Sequence, residues 1–181
     1  GAEERFKRQP FVGEAGRLLD KALAAAGLTR PAVRIDNLVP KQPRDNDWSA
    51  HSPEDIAWGT ARLSAMLEQA RPTCIVAFGN EAARFLVGDA WPSDGIQATR
   101  GYLWDTRFGR VLTSVHPAAI LREWTPWRAL LDFDLRRAAA EVAAGAPPLV
   151  EREVRIVTHE AELRELEDAW TRCALGAVDI E

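Results

Sequence analysis

Apolar residues recur along the chain in two rhythms that alternate. Leu18, Leu19, Ala22, Leu23 and Ala26 return at helical spacing and stop at Gly27, which predicts a first helix. Val33-Arg34-Ile35-Asp36-Asn37-Leu38-Val39 alternates and is closed by Pro40, the pattern of a strand. A polar loop, 41–52, follows. Ser52-Pro53-Glu54-Asp55 combines a cap, a first-turn proline and acids placed against the helix dipole. The predicted helix carries Ile56, Leu63, Met66, Leu67 and Ala70 inward and ends before Pro72. Thr73-Cys74-Ile75-Val76-Ala77-Phe78 is a continuous apolar run, as expected of a strand covered on both faces. Gly79-Asn80 turns it into a short helix ending near Gly88, and 91–110 reads as irregular. Val111–Val115 predicts another strand, and Thr125-Pro126 opens a helix running to Ala144.

The most informative punctuation is His116-Pro117, directly after that last strand. Proline cannot continue a ladder, so the chain turns and leaves the histidine at the strand's carboxyl end. Ligands of open α/β sheets bind at such ends. A histidine there can donate a hydrogen bond to an anion or act as acid or base, and it can equally cap its neighbours. Asn37, near the end of the predicted 33–39 strand, offers one acceptor and two donors, enough to read the edge of a base or to shape a turn. Phe11, between Pro10 and Gly13, either staples the first helix to the core or presents a ring.

Length and charge narrow the picture. The chain has 181 residues, 46% of them hydrophobic and 28% charged, enough for one sizeable domain and a smaller piece. No apolar run approaches the roughly 20 residues of a membrane helix, and no signal peptide opens the chain, so a cytoplasmic protein is expected. The two cysteines, Cys74 and Cys173, are far apart, which fits a reducing compartment and excludes a cysteine-rich metal framework. The net charge of −4 is uneven. Nine acidic and four basic residues fall in 150–181, leaving 18 and 19 in 1–149, so the main body is not repelled by polyanions. The Pro-rich stretch around Pro147-Pro148 reads as a linker. Beyond it Val154–Val157, a helix with Leu163, Leu166 and Trp170, and Leu175–Ile180 give a β-α-β order. The expected organisation is a main domain over 1–144, a linker over 145–150 and the start of a second α/β domain over 151–181. Gly1 and Glu181 both read as cut ends of something longer.

Several ordered motifs carry a resemblance. Gly1-Ala2-Glu3-Glu4, Pro10-Phe11-Val12-Gly13, Ala15-Gly16 and Leu18-Leu19 resemble the first motif of the family 4 type of uracil-DNA glycosylase. In that family a Gly-Glu-Ala-Pro-Gly turn comes just before, and Gly1 looks like its last glycine. The likeness continues through Asp36-Asn37-Leu38-Val39, Arg71-Pro72, Ile75-Val76-Ala77-Phe78-Gly79, Ala82, Arg100-Gly101 and Thr113-Ser114-Val115-His116-Pro117. It covers roughly residues 1–140. It implies a three-layer αβα fold on a central parallel sheet, here without its first strand, and the excision of uracil from DNA by base flipping. It implies roles too: His116 as the catalytic donor to the uracil O2, Asn37 as the reader of the uracil edge, and Phe11 as the ring stacked on the flipped base. Ile120, Leu121 and Arg122 resemble the segment that enters the DNA.

This chain departs from the family at the four cysteines that hold an iron–sulfur cluster. The loop around Lys41-Gln42-Pro43 and the helix at Ala57-Trp58 lack the expected pair, so no cluster is expected. The tail resembles the opening of the 3′–5′ exonuclease domain of family A DNA polymerases, where an Asp-x-Glu pair binds divalent metal. Asp179 and Glu181 would fall on one face of a strand, as such a pair requires. The expectation is therefore a glycosylase domain, acting on DNA, fused in front of a polymerase domain in the same chain, with this fragment itself inactive. The alternative is a non-catalytic DNA-binding or docking module on the same fold.

Overall fold

The computed structural model describes residues 11–41, 43, 47–122, 127–145, 159 and 164. The chain divides into two compact units, Gly1–Pro147 and Pro148–Glu181, and the elements below belong to the first. Most of the second, including the predicted strands at 154–157 and 175–180 with Asp179 and Glu181, lies outside the described residues.

The first helix, α1 (Glu14–Ala25), buries Gly16, Leu18, Leu19, Ala22 and Leu23. It ends at Gly27, whose φ of +74° an L side chain would resist, and the Leu28 N–H folds back to the Leu23 carbonyl. Helix α2 (Pro53–Ala70) begins at Ser52, whose hydroxyl accepts from the Asp55 N–H at 3.1 Å. Strand β1 (Cys74–Phe78) follows, then α3 (Asn80–Val87), a short α4 (Gly95–Thr99), β2 (Leu103–Thr106), β3 (Gly109–Ser114), α5 (Pro117–Arg122) and α6 (Arg128–Ala144). The sheet order is β1-β3-β2. β1 and β3 run parallel, with Cys74 opposite Arg110 and Phe78 opposite Ser114, and β2 is antiparallel to β3 on its other side.

Residue alternation along these strands makes the layers. Val76 and Phe78 meet the cluster built by α1, Val115, Ile120, Leu131 and Leu135. Ile75, Ala77 and Val111 meet the cluster of Leu67, Ala83, Leu86, Ile96 and Phe108. Successive side chains thus go to opposite faces, and helices cover both, giving a three-layer αβα domain on a small mixed sheet. β3 is the central strand, and its Val111–Ser114 segment is fully buried.

Three expectations need correction. Residues 33–39 are not a strand: they find no ladder partner among the described residues, although Val33 and Ile35 still pack against the α1 cluster. Alternation records which side chains are inward; a strand also needs a neighbouring backbone. The stretch 91–110 is not irregular, because α4 and β2 lie in it. The β2–β3 turn, Arg107-Phe108, carries none of the usual hairpin residues. Thr106 stabilises it instead, its hydroxyl accepting from the Phe108 N–H at 3.2 Å and donating to the Gly109 carbonyl at 2.8 Å. Finally, the segment expected to enter DNA, with Ile120, Leu121 and Arg122, is a helical turn, α5, with Ile120 buried. The expected start of the last helix at Thr125-Pro126 falls outside the described residues; α6 itself begins at Arg128.

Candidate active site

The site grows from the carboxyl ends of β1 and β3. After β1 the chain turns at Gly79 (φ +85°), whose N–H extends the parallel ladder by donating to the Ser114 carbonyl at 2.9 Å. An added Cβ at Gly79 would lie 3.5 Å from the His116 Cβ, so the two turns are in close contact. Asn80 opens α3, and its side-chain oxygen accepts the Ile96 N–H at 2.7 Å, tying α4 to the same corner.

His116 is half-buried and sits where β3 becomes α5. Its carbonyl accepts from the Ala119 N–H at 2.9 Å, and its Nδ1 accepts from the Ala118 N–H at 3.1 Å. An Nδ1 that accepts must carry the lone pair, so the neutral ring holds its proton on Nε2. The helix start therefore sets the tautomer, and Nε2 is the nitrogen able to donate.

Phe11 meets this imidazole directly. The ring centroids are 5.3 Å apart with planes inclined by 30°, and Phe78 is 6.2 Å from the Phe11 ring. Phe11 keeps 9% of its surface exposed and has a φ of +53°, unusual for a residue with a side chain. The cause lies in α1. A Cβ at Gly16 would come within 1.8 Å of the Phe11 carbonyl oxygen, so the backbone before the helix folds tightly onto a position only glycine can occupy.

Asn37 is held differently. It is exposed, its N–H donates to Asp36 Oδ1 at 2.8 Å, and its carbonyl accepts from Arg62 Nη2 at 2.8 Å. The structure thus brings Phe11 and His116 together and attaches Asn37 to α2. Of the segment expected to enter DNA, Ile120 is only 2% exposed and belongs to the core with Leu19 and Leu131, so it is not available to a duplex. The helical turn of α5 sends one side chain of three inward and leaves Leu121 (40% exposed) and Arg122 outside. Asp179 and Glu181 lie outside the described residues.

A buried polar network underlies the histidine. Asp134 on α6 has no exposed surface. Its Oδ2 accepts from the Ser114 hydroxyl at 2.7 Å and its Oδ1 from Arg100 Nη2 at 2.5 Å. Gly101 lies against the same carboxylate, and its N–H donates to the Thr113 carbonyl at 2.6 Å. Arg137 caps the Gly101 carbonyl. The last two residues of β3 are thereby fixed from both sides, two positions before His116. One sequence signal pointed to Asp134: it lies three residues after Leu131 and four before Ala138, a carboxylate on the apolar face of α6.

The cluster implied by the resemblance does not fit these residues. Trp58 projects from α2 with 61% of its surface exposed, and Lys41 is engaged with Asp55 Oδ2 at 2.8 Å. Lys41 holds the Asp55 carboxyl below its ordinary value of 3.8. Cys74, the one described cysteine, is half-buried in β1, and burial pushes its thiol above 9.0. Among the described residues no three His, Cys, Asp or Glu side chains group as metal ligands, and no helix is long and apolar enough to cross a membrane.

Residues 1–144 match the uracil DNA glycosylase superfamily model. The chain belongs to the uracil DNA glycosylase superfamily. It is 35% identical over 126 residues to the type-4 uracil-DNA glycosylase of Archaeoglobus fulgidus, an alignment covering 67% of this chain and 62% of that one. The corresponding protein of Thermotoga maritima is 37% identical over 123 residues, with the same two coverages. That of Saccharolobus solfataricus is 32% identical over 145 residues, 76% of this chain and 65% of its own. The chain spans a little over three fifths of the length of these curated relatives. The superfamily match ends at 144, the last residue of α6, and so takes in Phe11, Asn37, His116 and Asp134 together.

Proposed function

We propose that this glycosylase-superfamily domain hydrolyses the N-glycosidic bond of uracil in DNA, a base-excision repair reaction. The observation that carries the reading is the Phe11–His116 contact at the carboxyl edge of the parallel strands, with the His116 proton held on Nε2. A uracil turned out of the helix would stack on the ring of Phe11. As the C1′–N1 bond breaks, its electron pair leaves with the base, and negative charge gathers on O2. His116 Nε2–H donates a hydrogen bond to that oxygen, while water adds to C1′: its oxygen becomes the hydroxyl of the abasic sugar and its proton neutralises the released uracil anion. A donor aimed at a developing anion in a dry pocket contributes several kcal/mol. Asn37 reads the uracil edge, and the exposed Leu121, with Arg122 beside it, fills the gap in the duplex as an apolar wedge. The domain works without an iron–sulfur cluster: the loop around Lys41-Gln42-Pro43 and the helix at Ala57-Trp58 lack the cysteines the resemblance asks for, and only two cysteines occur in the whole sequence.

The tail extends this reading. Asp179 and Glu181 begin a metal-binding exonuclease domain, and the glycosylase domain stands ahead of a DNA polymerase in one longer protein. Residues 1–181 alone are expected to be inactive. The longer protein should release free uracil from single- or double-stranded DNA with no iron in the preparation. His116→Ala should lower that rate by about 10²–10³. Tight binding of uracil-containing DNA without release would overturn the glycosylase reading and leave a docking module. Metal-dependent 3′–5′ digestion that Asp179→Ala abolishes would support the tail assignment; digestion unaffected by that change would remove it.

A further inference from the structure

One stripe of α2 lies under the loop that carries Asn37. Asp55, Gly59 and Arg62 are spaced by four and three residues, so they share a face of the helix. The loop crosses them in reverse order. Arg62 forms a fork on Asp36, Nη1 to Oδ2 at 3.0 Å and Nη2 to Oδ1 at 2.8 Å, and Nη2 also reaches the Asn37 carbonyl at 2.8 Å. One turn back, Gly59 admits the loop backbone itself: an added Cβ would lie 2.6 Å from the Leu38 carbonyl oxygen and 3.2 Å from the Val39 Cα. A further turn back, Asp55 holds Lys41.

These contacts converge on a single residue. Asp36 accepts the Asn37 N–H and the Arg62 fork at once, and the Asn37 carbonyl accepts the same guanidinium. Both ends of the Asn37 residue are therefore anchored through its backbone, which leaves the carboxamide uncommitted to the anchoring. The Arg62 and Asp36 side chains keep 28% and 25% exposure, so the pair is half-shielded rather than a solvated surface bridge. A bidentate Arg–carboxylate pair fixes direction as well as distance, which a lysine ammonium cannot do.

We propose that Arg62 is a positioning residue for base recognition: through Asp36 and the Asn37 carbonyl it fixes the height and direction at which Asn37 presents its amide to the uracil edge. The proposal rests on the reading of Asn37 given above. It also explains how this chain holds the Asn37 loop against α2. Charge and a close glycine contact perform the tie.

A double-mutant cycle on the longer protein tests it, with single-turnover uracil release and binding of undamaged DNA as readouts. Arg62→Met keeps the stem and removes the fork. It should lower the rate at limiting DNA by about 10- to 100-fold, the cost of a small misplacement of a recognition group. Binding of undamaged DNA should be unchanged. In an Asn37→Ala background the same Arg62→Met change should have no further effect, because the residue through which it acts is gone. Arg62→Lys, which keeps charge but not the fork, should recover only a minor part of the loss, and it carries the same cycle should Arg62→Met fail to fold. Full activity of Arg62→Met beside a disabled Asn37→Ala would overturn the proposal and leave the reading of Asn37 intact. Losses that simply multiply in the double variant would also overturn it, since Arg62 would then act elsewhere. A fully active Asn37→Ala would overturn both.

Discussion

Asp134 shows how much a single side chain commits in this domain. A carboxylate with no exposed surface survives in a core only if its charge is matched and its lone pairs are used, and Arg100 and Ser114 do both. Asp134→Ala leaves a guanidinium and a hydroxyl without their partner and should cost about 3–5 kcal/mol, read as a shift of the denaturation midpoint at constant slope. Replacing Asp134, Arg100 and Ser114 together by apolar residues of similar size should return most of that loss, because no uncompensated charge is then left behind. The residue scale is also where the sequence was least legible. His116 stands out beside Pro117 at the end of β3, whereas Phe11 and Asn37 gain a role only through the resemblance. Arg62 looks like any solvated arginine on a helix, and nothing in its neighbours along the chain points to Asp36, 26 residues earlier. Ile120 was misread for the opposite reason: an apolar residue beside a functional motif fits a wedge and a core equally well until the turn of α5 settles its direction.

Among the elements, those with strong punctuation were readable. α1 with its terminal glycine, α2 with its Ser-Pro-acid opening, and the unbroken apolar runs of β1 and β3 were all expected close to where they stand. β2 is harder to read, because it is four residues long and the two residues of its turn, Arg107-Phe108, include neither glycine nor asparagine. Alternation over 33–39 misleads because half of a strand's definition lies in another part of the chain. The α2 cradle that holds this segment makes an element-level prediction. The folded Asp55 carboxyl lies below its ordinary value, chiefly because Lys41 donates a hydrogen bond to its charged form. A depressed carboxyl contributes stability above its unfolded value of 3.8 and loses it as pH falls through the folded value. Lys41→Met should therefore melt slightly below the parent protein at pH 7. That difference should begin to shrink near pH 3.8 and vanish once the pH has fallen through the lower, folded value and the carboxylate of the parent is neutralised. Because Lys41 is 70% exposed, the effect is small and should also shrink in high salt. A difference that persists in acid would show that Lys41 acts through packing of its stem.

At the scale of the whole molecule, the apolar cluster around Phe11 joins distant parts of the chain. Leu18, Leu19, Ala22 and Leu23 from α1 pack with Leu131 and Leu135 from α6, more than a hundred residues later. The other cluster is far more local, running from Leu67 to Val111. During synthesis these two halves of the core mature at different moments. The α2–β1–α3–β3 unit has its partners as soon as β3 leaves the ribosome. α1 waits on the order of ten seconds, at ordinary elongation rates, for the helix that buries its leucines. Phe11 depends on α1 through Gly16, so the ring that faces His116 can settle only when the last helix of the domain has docked. A nascent chain halted between α5 and α6 would thus carry His116 and its central strand, yet lack the helix against which the leucines of α1 pack. The contact between Phe11 and His116 is the last thing this domain makes.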